Sequence, residues 1–186
     1  MTERVLPKGA RLIPSEADCV FGGEIYKVYQ WPQRMPDGSV KTFEMLRRPD
    51  TVMVIALDEA GDALVIDEKQ PGGIVRKNHL PVGRVDSSDE SVQAAAQREL
   101  REETGWTFAN WELLDVVQME KKIEWFTYLF LATGALHRAA QHLDAGEDIT
   151  VKSAPLAEVL HQDNVLRYFP WLRDVESAED LTSRDF

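Results

Sequence analysis

GRVDSSDESVQAAAQRELREETGW, residues 83–106, has a spacing that predicts a helix opening at Ser87 and closing at Gly105. Val92, Ala95, Ala96 and Leu100 then form one apolar stripe at i, i+3, i+4 and i+8. At about 100° per residue, Glu99 and Glu103 fall near the centre of that stripe, roughly 40° apart. Carboxylates facing a core are like charges short of water, which is costly unless something neutralises them. A divalent cation is the simplest answer, so chemistry is expected here. Ser87 and Glu90 stand at capping-box spacing, and Gly105 suits the left-handed position after a helix end.

Upstream, residues 20–30 and 39–47 read as two strands joined around Met35-Pro36-Asp37-Gly38, a strong turn signal. Residues 51–70, TVMVIALDEAGDALVIDEKQ, read as two apolar strands turning at 58–62, with Gly61 in the turn. Pro71-Gly72-Gly73 through Asn78 reads as a loop that leads into the short segment 79–83. Downstream, residues 111–120 and 124–133 pattern as a strand pair, 139–148 as a polar loop and 149–151 as a further strand. Residues 155–162 pattern as a helix with Pro155 near its first turn, and 171–181 as a second helix. Many strands with few helices predict α/β packing, a mixed sheet sandwiched by helices. The implied division is an N-terminal antiparallel β unit over 1–48, a catalytic domain over 49–165 and a helical tail over 166–186.

With 186 residues the chain suits one domain with a sizeable core. A net charge of −11 argues against a nucleic-acid backbone or an anionic membrane as partner. An anionic small molecule stays compatible if a metal ion carries the local positive charge. A single cysteine, Cys19, rules out an intramolecular disulfide and fits a reducing cytosol. MTERVLPKGARLIPSEADC has no apolar h-region, and the longest apolar runs are strand-length. A soluble, cytoplasmic protein is the expectation.

The run Arg98-Glu99-Leu100-Arg101-Glu102-Glu103-Thr104-Gly105-Trp106 resembles the second half of the Nudix box, G-x5-E-x7-R-E-U-x-E-E-x-G-U, at every defined position. The first half departs from it. Counting forward from Gly83 puts Asp89 at the box glutamate, whereas counting back from Arg98 puts Glu90 there, so one residue is inserted. The resemblance implies a Nudix-type α/β/α sandwich with a mixed β-sheet, preceded by the N-terminal β unit. It further implies Glu99 and Glu103 as the main ligands of Mg2+ (with Mn2+ as a substitute), Glu102 close by and the Val82 carbonyl as a backbone ligand. Arg98 either holds Glu102 one turn away or reaches back to Glu90. Gly83 lets backbone approach phosphate oxygens.

The same resemblance, to the branch of the ADP-ribose pyrophosphatases, implies a water-activating glutamate after the box. Glu147 is the candidate, with Glu102 and Asp144 as alternatives; Ala145 stands where some members carry a further glutamate. Substrate contacts are expected from Gln70 at a strand end, from Arg48 toward a phosphate and from Trp31 toward a base, with Tyr26, Tyr29, Phe43 and Trp125 as other aromatics available. The histidines show no metal spacing. The implied reaction is hydrolysis of a nucleoside diphosphate linked to another moiety, ADP-ribose or a nucleotide sugar, by a homodimer. The alternatives are a nucleoside triphosphate pyrophosphohydrolase and a non-catalytic Nudix-like nucleotide-binding module.

Overall fold

A computed structural model describes residues 4–70, 72–143, 145–146 and 148–185. The N-terminal unit is an antiparallel meander of β1 (Asp18–Gly22), β2 (Lys27–Arg34) and β3 (Val40–Arg47). The expected single strand over 20–30 is broken, because Gly23 N–H donates to the Tyr26 carbonyl and folds β1 back on β2. The β2–β3 turn falls where the sequence placed it: Gly38 takes φ +83° and Asp37 Oδ1 accepts from Ser39 N–H at 2.9 Å. Ile13, Trp31 and Met45 form this unit's own small core.

The strand β4 (Thr51–Ala56) explains the layers of the main body, since every one of its residues is buried. Period two sends alternate side chains to opposite faces. Val52, Val54 and Ala56 join Ala95, Ala96 and Leu100 of helix α1 (Val92–Thr104), while Met53 and Ile55 meet Leu160, Phe169 and Leu172. A strand buried on both sides reads as an unbroken apolar run, and it does here. Its sheet also contains β7 (Val82–Arg84), β8 (Trp106–Val117) and β10 (Thr127–Arg138), in the order β7-β4-β10-β8. The sheet is mixed: β4 and β10 run parallel, and β10 pairs β8 antiparallel. Fully burying one leucine such as Leu100 stabilises by about 1.5–3 kcal/mol.

A second sheet sets β5 (Ala63–Gln70) between β6 (Ile74–His79) and β11 (Asp148–Ala154). The expected loop over 71–78 is therefore mostly strand. Gly72 and Gly73, both at positive φ, turn the chain so that 74–79 pairs back on β5. A two-residue strand, β9 (Ile123–Glu124), pairs parallel to β3 and ties the N-terminal unit to the body.

Helix α1 starts later than expected. Asp86–Asp89 closes as a turn, with Asp89 N–H donating to the Asp86 carbonyl and Asp86 N–H to Asp89 Oδ2. That turn absorbs the inserted residue, so Ser91 is the N-cap, its Oγ accepting from Ala94 N–H at 3.0 Å. The helix end is as read: Gly105 sits at φ +76°, and a Cβ there would lie 2.2 Å from the Ala139 carbonyl oxygen. Short helices α2 (Leu156–Leu160) and α3 (Asp163–Leu166) follow β11. The single helix expected over 171–181 is replaced by two 3-10 turns, Pro170–Asp174 and Ala178–Asp180. Leu172, Val175 and Leu181 still enter the core, and the second turn begins with a capping box from Ser177. Among the described residues no helix is long and apolar enough to cross a membrane.

Candidate active site

A cavity of about 510 Å3 opens between α1, β7, β5, β6 and the segment after β10. The short strand β7 is its floor, and Gly83 within it has no room for a side chain: a Cβ would lie 1.9 Å from Glu99 Cδ. Glycine lets the Glu99 carboxylate fold across the strand, where Oε1 accepts from Arg84 N–H at 3.0 Å. One helical turn on, Glu103 is 7% exposed and its Oε2 accepts from Val82 N–H at 3.2 Å. Strand and helix thus present both carboxylates to one cavity. Val82, Gly83, Glu99, Glu102 and Glu103 all line it.

Arg98 organises this group. Its guanidinium forks onto both oxygens of Asp89 at 2.9 Å, and Nη1 also donates to Glu99 at 2.9 Å and Glu102 at 3.0 Å. Nη2 adds a bond to the Arg84 carbonyl. Of the two registers read from the sequence, Asp89 is the residue that meets Arg98, while Glu90 is exposed. The Arg98 bonds hold the Asp89 carboxyl below its ordinary range, and that pairing in turn holds Arg98 firmly protonated. Glu99 behaves oppositely: burial pushes its carboxyl up, Arg98 only partly offsets this, and Glu102 adds to it. One cation shared among several carboxylates leaves Glu99 under-compensated.

The segment after β10 is fastened to the same helix. Gln141 Nε2 donates to the Glu103 and Ile149 carbonyls, and His142 N–H to the Glu102 carbonyl, which brings His142 and Leu143 to the rim. Glu147 and its alternative Asp144 lie outside the described residues.

Among the substrate-contact expectations, Arg48 and Gln70 line the cavity. The Arg48 guanidinium stacks 4.5 Å from the Trp125 ring and 5.8 Å from Tyr26, and its buried Nε has no hydrogen-bond partner among the described residues. Trp125 is fixed in turn by a 2.9 Å bond to Thr51 Oγ1 and an edge contact with Tyr168. Trp31 is not brought to the cavity. It is 7% exposed in the N-terminal core, tilted against Phe43, with its indole N–H on Gln33. Its place opposite Phe43 in the β2–β3 ladder makes it a packing residue.

Sequence reasoning missed Glu68, Arg76 and His79. Glu68 is 3% exposed, takes bonds from Gln70 Nε2 and from Arg76 Nη1 at 3.2 Å, and lies 3.4 Å from His79 Nε2. A signal existed: Leu64, Ile66 and Glu68 share one face of β5, so Glu68 continues an apolar row.

An all-oxygen set of closely spaced carboxylates, one of them under-compensated, suits a hard divalent cation in charge and donor type. Among the described residues no three His, Cys, Asp or Glu side chains converge as a ready-made cage. Magnesium keeps waters and takes substrate oxygens, so two glutamates facing an open cavity are a fitting donor set.

Residues 47–175 match the NUDIX domain, and the chain belongs to the Nudix family. It is 29% identical over 146 residues to the ADP-ribose pyrophosphatase of Mycobacterium tuberculosis (strain ATCC 25618 / H37Rv), covering 76% of this chain and 70% of that protein. It is 24% identical over 143 residues to the methanol dehydrogenase activator of Bacillus methanolicus, covering 76% and 77%. Among solved structures, an ADP compounds hydrolase superposes with a TM-score of 0.60 at 17% identity, covering 84% of each chain, which shows the shared fold. These relationships make the chain a Nudix pyrophosphohydrolase of the ADP-ribose pyrophosphatase-like kind.

Proposed function

We propose that the protein hydrolyses the diphosphate of ADP-ribose or a nucleotide sugar, giving a nucleoside monophosphate and a phosphorylated product. The observation that carries this reading is the convergence on one cavity of Glu99, Glu102 and Glu103 with the aromatic-backed guanidinium of Arg48. Glu99 and Glu103 would hold Mg2+, or Mn2+ in its place, with Glu102 and the Val82 carbonyl beside them. When bound, the cation offsets the diphosphate charge and lowers the pKa of a coordinated water.

The chain's own residues do the rest. Arg98 fixes the rotamers of Glu99 and Glu102, so both carboxylates are in place before substrate arrives. Arg48, held between Trp125 and Tyr26, donates to phosphate oxygens without reorganising. Glu102 is the more exposed glutamate of the three and takes the proton of the attacking water; Glu147 is the alternative base. Val20 and Phe21 are exposed on β1, the edge strand of the N-terminal meander, an apolar edge suited to a second copy of the chain, so the working form is a homodimer. A dimeric mass by light scattering is expected.

The test is a substrate panel with Mg2+: ADP-ribose, ADP-sugars, other nucleotide sugars and nucleoside triphosphates, read by product chromatography. Release of AMP from ADP-ribose or an ADP-sugar at the highest kcat/KM is expected. Preference for triphosphates with diphosphate release would replace the substrate reading, and no turnover across the panel would replace the enzymatic one.

A further inference from the structure

The β5–β6 wall of the cavity holds a pair the proposed chemistry does not use: Glu68, which lines the cavity, and His79 beside it. His79 Nδ1 is 2.8 Å from the Leu80 carbonyl, an acceptor, so the ring proton sits on Nδ1. Nε2 of the neutral ring is then a bare lone pair. It is buried, has no hydrogen-bond partner among the described residues, and faces Glu68 Oε2 at 3.4 Å. Two acceptors facing each other in a site nearly closed to water repel unless a proton lies between them. The same Glu68 oxygen is also claimed by Arg76, whose side chain is 48% exposed and lines the cavity. Glu68 Oε2 therefore has two possible partners, and one of them can swing into the substrate volume.

We propose that Glu68 and His79 form a proton-coupled latch on Arg76: an anionic diphosphate draws the Arg76 guanidinium away from Glu68, and a proton taken up on His79 Nε2 fills the vacated bond. The proposal rests on the diphosphate reading of the cavity. No covalent bond changes; one proton moves from solvent or buffer to Nε2, and Glu68 exchanges one hydrogen-bond donor for another. The charges that face His79 are Glu68 and Asp67 from β5, which favour its protonation, and Arg76 from β6, which opposes it. Burial is the strongest influence and holds the His79 pKa below its ordinary value, so the ring is neutral near pH 7 while Arg76 is latched. Removing Arg76 deletes an opposing charge and leaves Glu68 unopposed, which raises the proton affinity of Nε2. Uptake is thus confined to the window between the His79 pKa with Arg76 latched and the higher one with Arg76 withdrawn, fading below it, where the ring is already charged, and above it, where the ring stays neutral. Glu68 is a positioning residue here, acting through Arg76.

The experiment is titration calorimetry of the whole protein with α,β-methylene-ADP and Mg2+ at pH 7, in buffers of different ionisation enthalpy. The slope of heat against buffer ionisation enthalpy should report a net proton uptake of at most one per site. His79→Gln should abolish that slope. Arg76→Ala, at an exposed position where folding is not at risk, should also abolish it with His79 intact, and weaken binding roughly tenfold or more. A purely structural Glu68–His79 contact predicts no effect of Arg76→Ala on proton uptake. Binding with buffer-independent heat in the wild-type protein overturns the latch alone. Absence of binding overturns the latch together with the diphosphate reading.

Discussion

Two clusters of carboxylates differ in their charge balance, and that balance separates a fastening from a site. In the first, Glu124 is 2% exposed and accepts from Arg47, Arg4 and Ile13 N–H, while Asp50 accepts from Arg4 and Phe126 N–H. Burial pushes the Glu124 carboxyl up, but Arg47, the Ile13 amide and Arg4 together outweigh it and hold it below its usual value. Two arginines answer two acids, and the N-terminal segment is fastened to the body. In the second, Arg98 is shared among Asp89, Glu99 and Glu102, with Glu103 one turn further on, and burial wins at Glu99. A surplus of buried negative charge beside a cavity is a standing demand for an outside cation.

The comparison breaks most sharply at single amide substitutions. Glu103→Gln keeps shape and burial while removing charge from the over-acidic cluster. It should lower kcat/KM for ADP-ribose by roughly 100-fold or more, with the urea midpoint unchanged or raised. An unfolding shift as large as that of a core substitution would mean that Glu103 is a fastening too.

Glu124→Gln should do the reverse. It strips a carboxylate from two arginines whose side chains are about a third exposed, so the cost falls below that of a fully buried pair, about 2 kcal/mol, with kcat/KM within about threefold. The pH dependence carries a sign. A carboxyl whose folded pKa is lowered stabilises above its unfolded value and loses that contribution as pH falls through the folded value. The stability gap between wild type and Glu124→Gln, from urea midpoints, should therefore narrow on acidification below about pH 4. Asp50 is pushed the other way by burial, and comparing the two proteins cancels most of its contribution.

What could be read in advance follows the range of the interactions. The α1 stripe, its three glutamates and the Gly105 stop are local patterns, and Val92, Ala95, Ala96 and Leu100 are buried as the period of 3.6 requires. The all-buried run of β4 and the β2–β3 turn were legible for the same reason. The Glu68–His79 contact was not, because it exists only across the β5–β6 pairing, and Gly72-Gly73 disguised β6 as a loop. Trp31 shows the converse error. An aromatic beside a proline is compatible with ligand contact, and only the ladder with Phe43 decides that it packs.

The helix start is the finest test of the same lesson, since the cap lies beyond the serine that the spacing favoured. Ser87 had the capping-box spacing, but Asp86 and Asp89 close a turn over it, and Ser91 caps the helix instead. Ser91→Ala should cost about 1 kcal/mol in the urea midpoint, and Ser87→Ala, exposed within the turn, close to nothing. Glu99 lies two turns beyond the cap and is held by Arg98 and Arg84 N–H, so kcat/KM should survive fraying of the first turn. If Ser91→Ala instead lowered activity while leaving stability intact, the Asp86–Asp89 turn and its hold on Arg98 would be part of the site's preorganisation. The acidic cluster would then extend to the helix start.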